Sequence, residues 1–353
     1  MDMKHPGVVL QEKLNDSGMS RKELALRTSV TEKHICTIIN GDKGISTAFA
    51  RKLGYVFGDA SYWMNLQFEY DAYQLSVQEE NNISQREIDL LKTLHDIMSY
   101  LVERGYLHNN CGDASKVMQL REFLQISDLT QIPKITYNAA YKAQLTTNIK
   151  VDPYVLFAWQ RLCEKETQSI DVKKSIDKEL LRNSIERIKK MMFGSINKGI
   201  NEIQAILAEC GIAFQVVKNF RGAPVQGFIK ETANGRLILC LTIRGKRADR
   251  FWFTLFHEIA HILNGDYKTR FVDFDSVQGK AELIADQYAA NTLIKPEMYH
   301  RFILSNDCTS WNRIRAFAEA VEVQPFIVLG RLQNDGYLEW TDYPDKVVRY
   351  EWA

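Results

Sequence analysis

From residue 251 to 263 the chain reads FWFTLFHEIAHIL. A run this apolar, with no glycine or proline, suits a buried helix. The sequence His257-Glu258-x-x-His261 then restricts how that helix can lie. Histidines four residues apart stand one turn apart on one helix face, so both imidazoles can reach a single metal ion. Glu258 follows the first histidine, where it can take a proton from an attacking water. Two competing readings stay open. One is a core helix whose histidines are satisfied by carboxylates, and the other is a centre that binds metal without turnover.

A catalytic zinc needs a third protein ligand and an open fourth position. Asn264 and Tyr267 stand where the extended metzincin motif requires glycine and histidine, so that motif is excluded. Glu282 is the next acid on an expected helix. Asp286, one turn further, is placed to accept the free ring N–H of a ligand histidine. Asp266, Asp273 and Asp275 in the intervening loop are rival third ligands, as is His300. Tyr267, Tyr288 and His300 are candidates to steady an oxyanion. Asp249 is expected to cap the metal helix. Upstream, charged helices at Ile176–Met192 and Gly199–Cys210 precede strand signals at Ile212–Val217, Val225–Lys230 and Leu237–Ile243. One of these strands is a candidate edge for an extended peptide. Trp311 to Leu332 reads as a closing helix pair.

The first 75 residues have a different pattern. Ser20-Arg21-Lys22-Glu23 is a capping box opening a short helix, and Thr31 caps a second that turns Ile35, Ile38 and Ile39 inward and stops at Asn40-Gly41. Two short helices across a tight turn suggest a helix-turn-helix, with the Thr31 helix as the recognition helix. Ser20, Arg21, Thr31, Lys33, His34, Thr37, Asn40 and Lys43 are the candidate contacts to bases or phosphates. Charge alone does not argue for this. Nine Lys and Arg balance nine Asp and Glu over residues 1–75, and the whole chain carries a net charge of +1. A small helical packing domain is the competing reading.

Between these parts, Ser84–Glu87 opens a helix burying Ile88, Leu91, Leu94, Met98 and Leu101 and stopping at Gly105. Val117, Leu120 and Leu124 mark another, and Asp152-Pro153 begins a third. His95 and His108 have no ligand-type partner at useful spacing. The expected organisation is mainly α and multidomain. It has an all-α helix-turn-helix domain at 1–78, a helical connector or interaction domain at 79–175, and an α+β zincin-like domain with a small sheet at 176–353. Six scattered cysteines without a Cys-x-x-Cys pair argue for reduced thiols and a cytoplasmic protein. No apolar run approaches a membrane span, and no secretory signal is visible.

Two resemblances sharpen the reading. His5-Pro6-Gly7, the Ser20 to Ala25 capping segment, Ile38-Ile39-Asn40-Gly41 and Tyr62 to Gln67 together resemble the Cro/repressor-type helix-turn-helix of HigA-like antitoxins. That resemblance implies operator binding and a homodimer formed near the tail helix. It departs at Thr28-Ser29-Val30, where the family tends to have Leu-Gly-Val, so Ser29 must adopt a conformation easier for glycine. Asp249 to Leu263 and Ala285 to Pro296 resemble the ImmA/IrrE zinc metallopeptidases. The resemblance implies one zinc ion held by His257, His261 and Glu282, with Glu258 as general base. It also implies a protein substrate of the repressor kind. Ile284 replaces the second acid of that family's pattern. The combination points to a regulator that cuts a repressor, a toxin partner or itself. The alternatives are an antitoxin that binds its toxin without turnover, and an enzyme whose helix-turn-helix only assembles protein.

Overall fold

A computed structural model describes residues 3–109, 111–136, 151–172, 175–232, 235–265, 277–305 and 307–351. These are mainly helical, with one three-stranded sheet. They form two compact units, residues 1–88 with 111–118, and residues 89–110 with 119–353.

The first unit is built on five helices: α1 (Pro6–Asp16), α2 (Arg21–Thr28), α3 (Glu32–Ile39), α4 (Thr47–Phe57) and α5 (Ala60–Asn81). Each start is fixed by a side chain that accepts a first-turn N–H. His5 accepts from Gly7, Ser20 from Glu23, Thr31 from His34, Ser46 from Phe49 and Asp59 from Ser61. Leu10, Leu14, Leu24, Ile35, Ile38, Phe49, Leu53 and Trp63 close the core. Ile39 is only partly buried against it. The turn between α2 and α3 runs through Ser29 in the left-handed region, φ +52° and ψ +48°. This is the backbone strain expected where the resembling family has glycine.

Residues 79–175 are shared between the two units rather than closing on a core of their own. The helix expected from Ser84 to Gly105 is interrupted at Leu94 and forms α6 (Gln85–Thr93) and α7 (His95–Glu103). After α8 (Asp113–Leu124) and α9 (Ile132–Thr136) comes α10 (Pro153–Thr167), whose first turn is capped by the Asp152 carboxylate. In the second unit α10 lies against the sheet. Trp159 is fully buried, donates from its indole N–H to the Lys218 carbonyl at 3.0 Å and meets Phe228 edge-on.

The rest of that unit begins with α11 (Lys178–Lys190) and α12 (Ile196–Glu209). Strands β1 (Ile212–Val216), β2 (Gly227–Glu231) and β3 (Leu237–Leu241) form a sheet in the order β1-β3-β2. β1 runs parallel to β3 and β2 antiparallel to it, with Gly227 opposite Leu241. The central strand is buried along its whole length, which explains its unbroken Leu-Ile-Leu-Cys-Leu run.

Across the sheet lies α13 (Ala248–Asn264), packed in turn on α14 (Val277–Leu293). The unit is completed by α15 (Pro296–Ile303) and the pair α16 (Trp311–Ala320) and α17 (Pro325–Asn334). The cap of α13 differs from the expectation. Arg247, not Asp249, occupies the cap position, and Asp249 sits in the first turn accepting from the Arg247 guanidinium at 2.9 Å. The helix start is held instead by distant backbone. Ala248 N–H donates to the Val348 carbonyl at 3.0 Å, and Tyr350 N–H donates to the Lys246 carbonyl at 2.7 Å. None of the described helices is long and apolar enough to cross a membrane.

Candidate metal centre

Helix α13 is buried on most of its circumference. Phe251, Trp252, Leu255, Phe256, Ile259 and Ile262 enter the core, whereas Phe253, Thr254 and His257 form a stripe that is only partly covered. The spacing that separates these faces is that of an amphipathic helix with a wide apolar side. α14 packs along the partly covered stripe and brings Glu282 to the two histidines. His257 Nε2 lies 3.1 Å from His261 Nε2 and 3.1 Å from Glu282 Oε2, and His261 Nε2 lies 3.5 Å from Glu282 Oε1. Among the described residues these three side chains form the cluster able to hold a metal ion.

The donor set fits zinc on its own geometry. Bond lengths of about 2.0–2.1 Å in a tetrahedron place neighbouring donor atoms about 3.3 Å apart, which the three distances bracket. Two imidazole nitrogens 3.1 Å apart cannot both carry hydrogen towards each other. A cation between them removes that conflict. His261 is almost fully buried, while the Glu282 side chain is 39% exposed, so the centre opens to solvent on the α14 side. That open side leaves room for the fourth position a catalytic zinc requires.

Around this trio the charge is negative. The Asp286 carboxylate lies 2.8 Å from His257 Nδ1, fixing the ring so that Nε2 faces the other donors. Burial pulls the His257 imidazole down. The hydrogen bond to Glu282 and the charges of Glu258, Glu282 and Asp286 together outweigh it and leave the pKa above that of free histidine. Glu258 is 3% exposed. It lies against the first residue of β2 so closely that a Cβ on Gly227 would come within 2.3 Å of its Oε1 and 2.6 Å of its Cγ. Only a residue without a side chain lets the strand approach the carboxylate this far. The local sequence gave no sign of this contact, because a glycine at a strand start signals only a bulge or a close approach, without its partner.

Of the rival ligands, Asp266, Asp273 and Asp275 lie outside the described residues, as does Tyr267. His300 is exposed on α15. Tyr288 packs against the core, where burial raises its phenol and Thr292 is its hydrogen-bond partner. His95 is exposed on α7.

In the first unit the candidate contacts separate by what their side chains already do. Ser20 and Thr31 are spent on helix caps, and the Thr37 hydroxyl donates to the His34 carbonyl at 2.8 Å. Arg21 donates twice to Gln11, at 2.6 and 3.1 Å, and the His34 ring stands edge-on to Phe49. Lys33, Asn40 and Lys43 are exposed around the recognition helix.

Sequence comparison bears on this first unit. Virulence-associated protein A' of Dichelobacter nodosus is 37% identical over 76 residues, which are 21% of this chain and 66% of that protein. Virulence-associated protein I of the same organism is 34% identical over 82 residues, 23% of this chain and 75% of that protein. The amino-terminal domain belongs to the family of virulence-associated protein I. Its members are short beside this chain, which spans 66% of the first relative's length while leaving most of its own outside the match. Among solved structures, the Pseudomonas aeruginosa antitoxin HigA with its promoter is 31% identical. The match covers 24% of this chain and 97% of that one, with a TM-score of 0.22. The antidote protein of the HigA family from Coxiella burnetii is 29% identical, over 24% of this chain and 98% of its own, with the same score. No family model matches the chain.

Proposed function

We propose that this protein is a DNA-binding regulator that carries a zinc-dependent peptidase centre directed at a repressor or toxin partner, or at the protein itself. The observation that carries the peptidase half is the convergence of His257, His261 and Glu282 beside a buried Glu258. Zinc held by those three residues would polarise a peptide carbonyl and an attacking water. Glu258 takes the water's proton and passes it to the leaving amine. Asp286 keeps His257 in the tautomer that presents Nε2. β2, at the edge of the sheet and against Glu258, offers its backbone to an extended peptide, which would bind by strand addition with little demand on sequence.

The DNA-binding half rests on the helix-turn-helix of α2 and α3 and on likeness to an antitoxin solved with its promoter. In this reading a homodimer presents two recognition helices to an operator, with Lys33, Asn40 and Lys43 free to meet phosphates and bases. A second reading, an antitoxin that represses its operon and holds a toxin without turnover, is favoured by the antitoxin character of the matched quarter.

Mass spectrometry of the zinc-supplied protein, incubated with the proteins encoded beside its gene, tests the peptidase half. A discrete cut is expected, and intact partners throughout would leave the antitoxin reading. A gel shift with DNA from upstream of the gene tests the other half. The close approach at β2 makes a further prediction. Gly227→Ala is expected to push the Glu258 carboxylate aside and lower the cleavage rate at least about tenfold, with zinc content unchanged. Equal rates for the two proteins would remove Glu258 from the role of base or the strand from its place beside it.

A further inference from the structure

A cavity of about 470 Å³ lies beside the metal centre, between α13, α14 and α17, and reaches from Asp286 to Arg250 and Trp340. It meets the centre at Asp286, the carboxylate 2.8 Å from His257 Nδ1. Arg250, Phe253, Thr254 and His257 follow one another at helical spacing along the partly covered stripe of α13. Gln226, immediately before β2, lines the same space. A peptide laid along β2 past Glu258 therefore runs into this cavity.

The charges in the cavity are unevenly answered. Asp249 is held by the Arg247 guanidinium at 2.9 Å, and Asp286 by His257 at 2.8 Å. Asp335 receives Arg331 at 2.7 Å and the Tyr299 hydroxyl at 2.9 Å. Among the described residues Arg250 has no carboxylate partner. Its guanidinium lies 5.2 Å from the centroid of the Trp340 ring, whose other cation, Arg247, is already committed to Asp249 and Gln333. A guanidinium placed over an indole keeps its N–H edge available and its plane fixed, which is the geometry that takes a carboxylate with two parallel hydrogen bonds.

From these observations the geometry points to a specificity subsite. Arg250 receives an aspartate or glutamate side chain of the peptide substrate, whose stem rests on Phe253. The inference deepens the peptidase reading and rests on it. Helical rise fixes where the acid falls. Arg250 precedes His257 by seven residues, about 10 Å along the helix. An extended peptide covers that in about three residues at 3.3 Å each. The acidic residue therefore lies about three positions from the bond to be cut.

The test uses full-length Glu258→Gln protein supplied with zinc as bait for a mixture of end-blocked, randomised hexapeptides, with the retained peptides sequenced by mass spectrometry. Acids are expected to be enriched on the order of tenfold at one position. The enrichment should vanish with Arg250→Ala added and turn to Lys and Arg with Arg250→Glu. Retention without acid enrichment, an unchanged profile with Arg250→Glu, or retention of no peptide overturns the subsite. The same mixture given to the wild-type protein separates the two claims. Acid-bearing peptides held by the bait but cut by nothing would sink the peptidase reading and leave the subsite standing. Cleavage with no acid about three residues away would do the reverse.

Discussion

Protein carrying His261→Ala is expected to emerge from purification without zinc, whereas the wild type holds about one zinc per chain. His261 is the least exposed of the three donors, and its Nε2 stands within 3.5 Å of both others. Water cannot easily take its place, because the position is closed to solvent on that side. Loss of a hydrogen bond behind a ligand costs about 10–100-fold in metal affinity, so loss of the ligand should cost more. Asp286→Asn, which removes only the charge behind His257, is expected to fall within that smaller range. Elemental analysis by inductively coupled plasma mass spectrometry reads both, on protein never exposed to chelator. Zinc retained at wild-type level in His261→Ala would sink the ligand assignment.

Glu258→Gln is expected to do the opposite. It should keep zinc and lose turnover by about two to four orders of magnitude, the contribution of a general base. The substitution is nearly isosteric, so the contact with Gly227 survives, and the amide cannot accept the proton. Its value lies in separating the two functional readings. A regulator that acts by cutting loses its effect on the partner in Glu258→Gln. An antitoxin that acts by holding a toxin keeps it. If partner proteins disappear equally fast with either version, the loss belongs to a contaminating protease.

How much of this could be read from sequence depended on how local the cause was. His257 and His261 were legible because four residues make one helical turn whatever the surroundings. Glu282 and Asp286 followed from the same rule on a second helix, although nothing in the sequence could say that α13 and α14 would pack together. The cap residues Ser20 and Thr31 gave α2 and α3 for the same reason, since a cap acts over three residues. Where the cause is distant, the reading failed. Asp249 looked like a cap, but the helix starts at Ala248 because its N–H meets the Val348 carbonyl. The contact by which Trp159 pins α10 to the sheet has no local signal either, because its partner is the Lys218 carbonyl 59 residues on. The closeness of Gly227 to Glu258 depends on β2 meeting α13, the cavity at Arg250 on α13, α14 and α17 meeting, and neither has a pattern along the chain.

The anchoring of α13 by residues near 350 has a consequence for the order in which the protein matures. Trp252 donates its indole N–H to the Tyr350 hydroxyl at 2.8 Å, across a separation of 98 residues. Together with the backbone pair at Ala248 and Val348, this contact joins the first turns of α13 to a segment made much later. Closing so long a loop is slow compared with forming the helix itself. On the ribosome, both histidines are therefore translated well before the anchor of their helix exists. A nascent chain cannot complete the support of this helix and its candidate metal ligands until residue 350 has emerged.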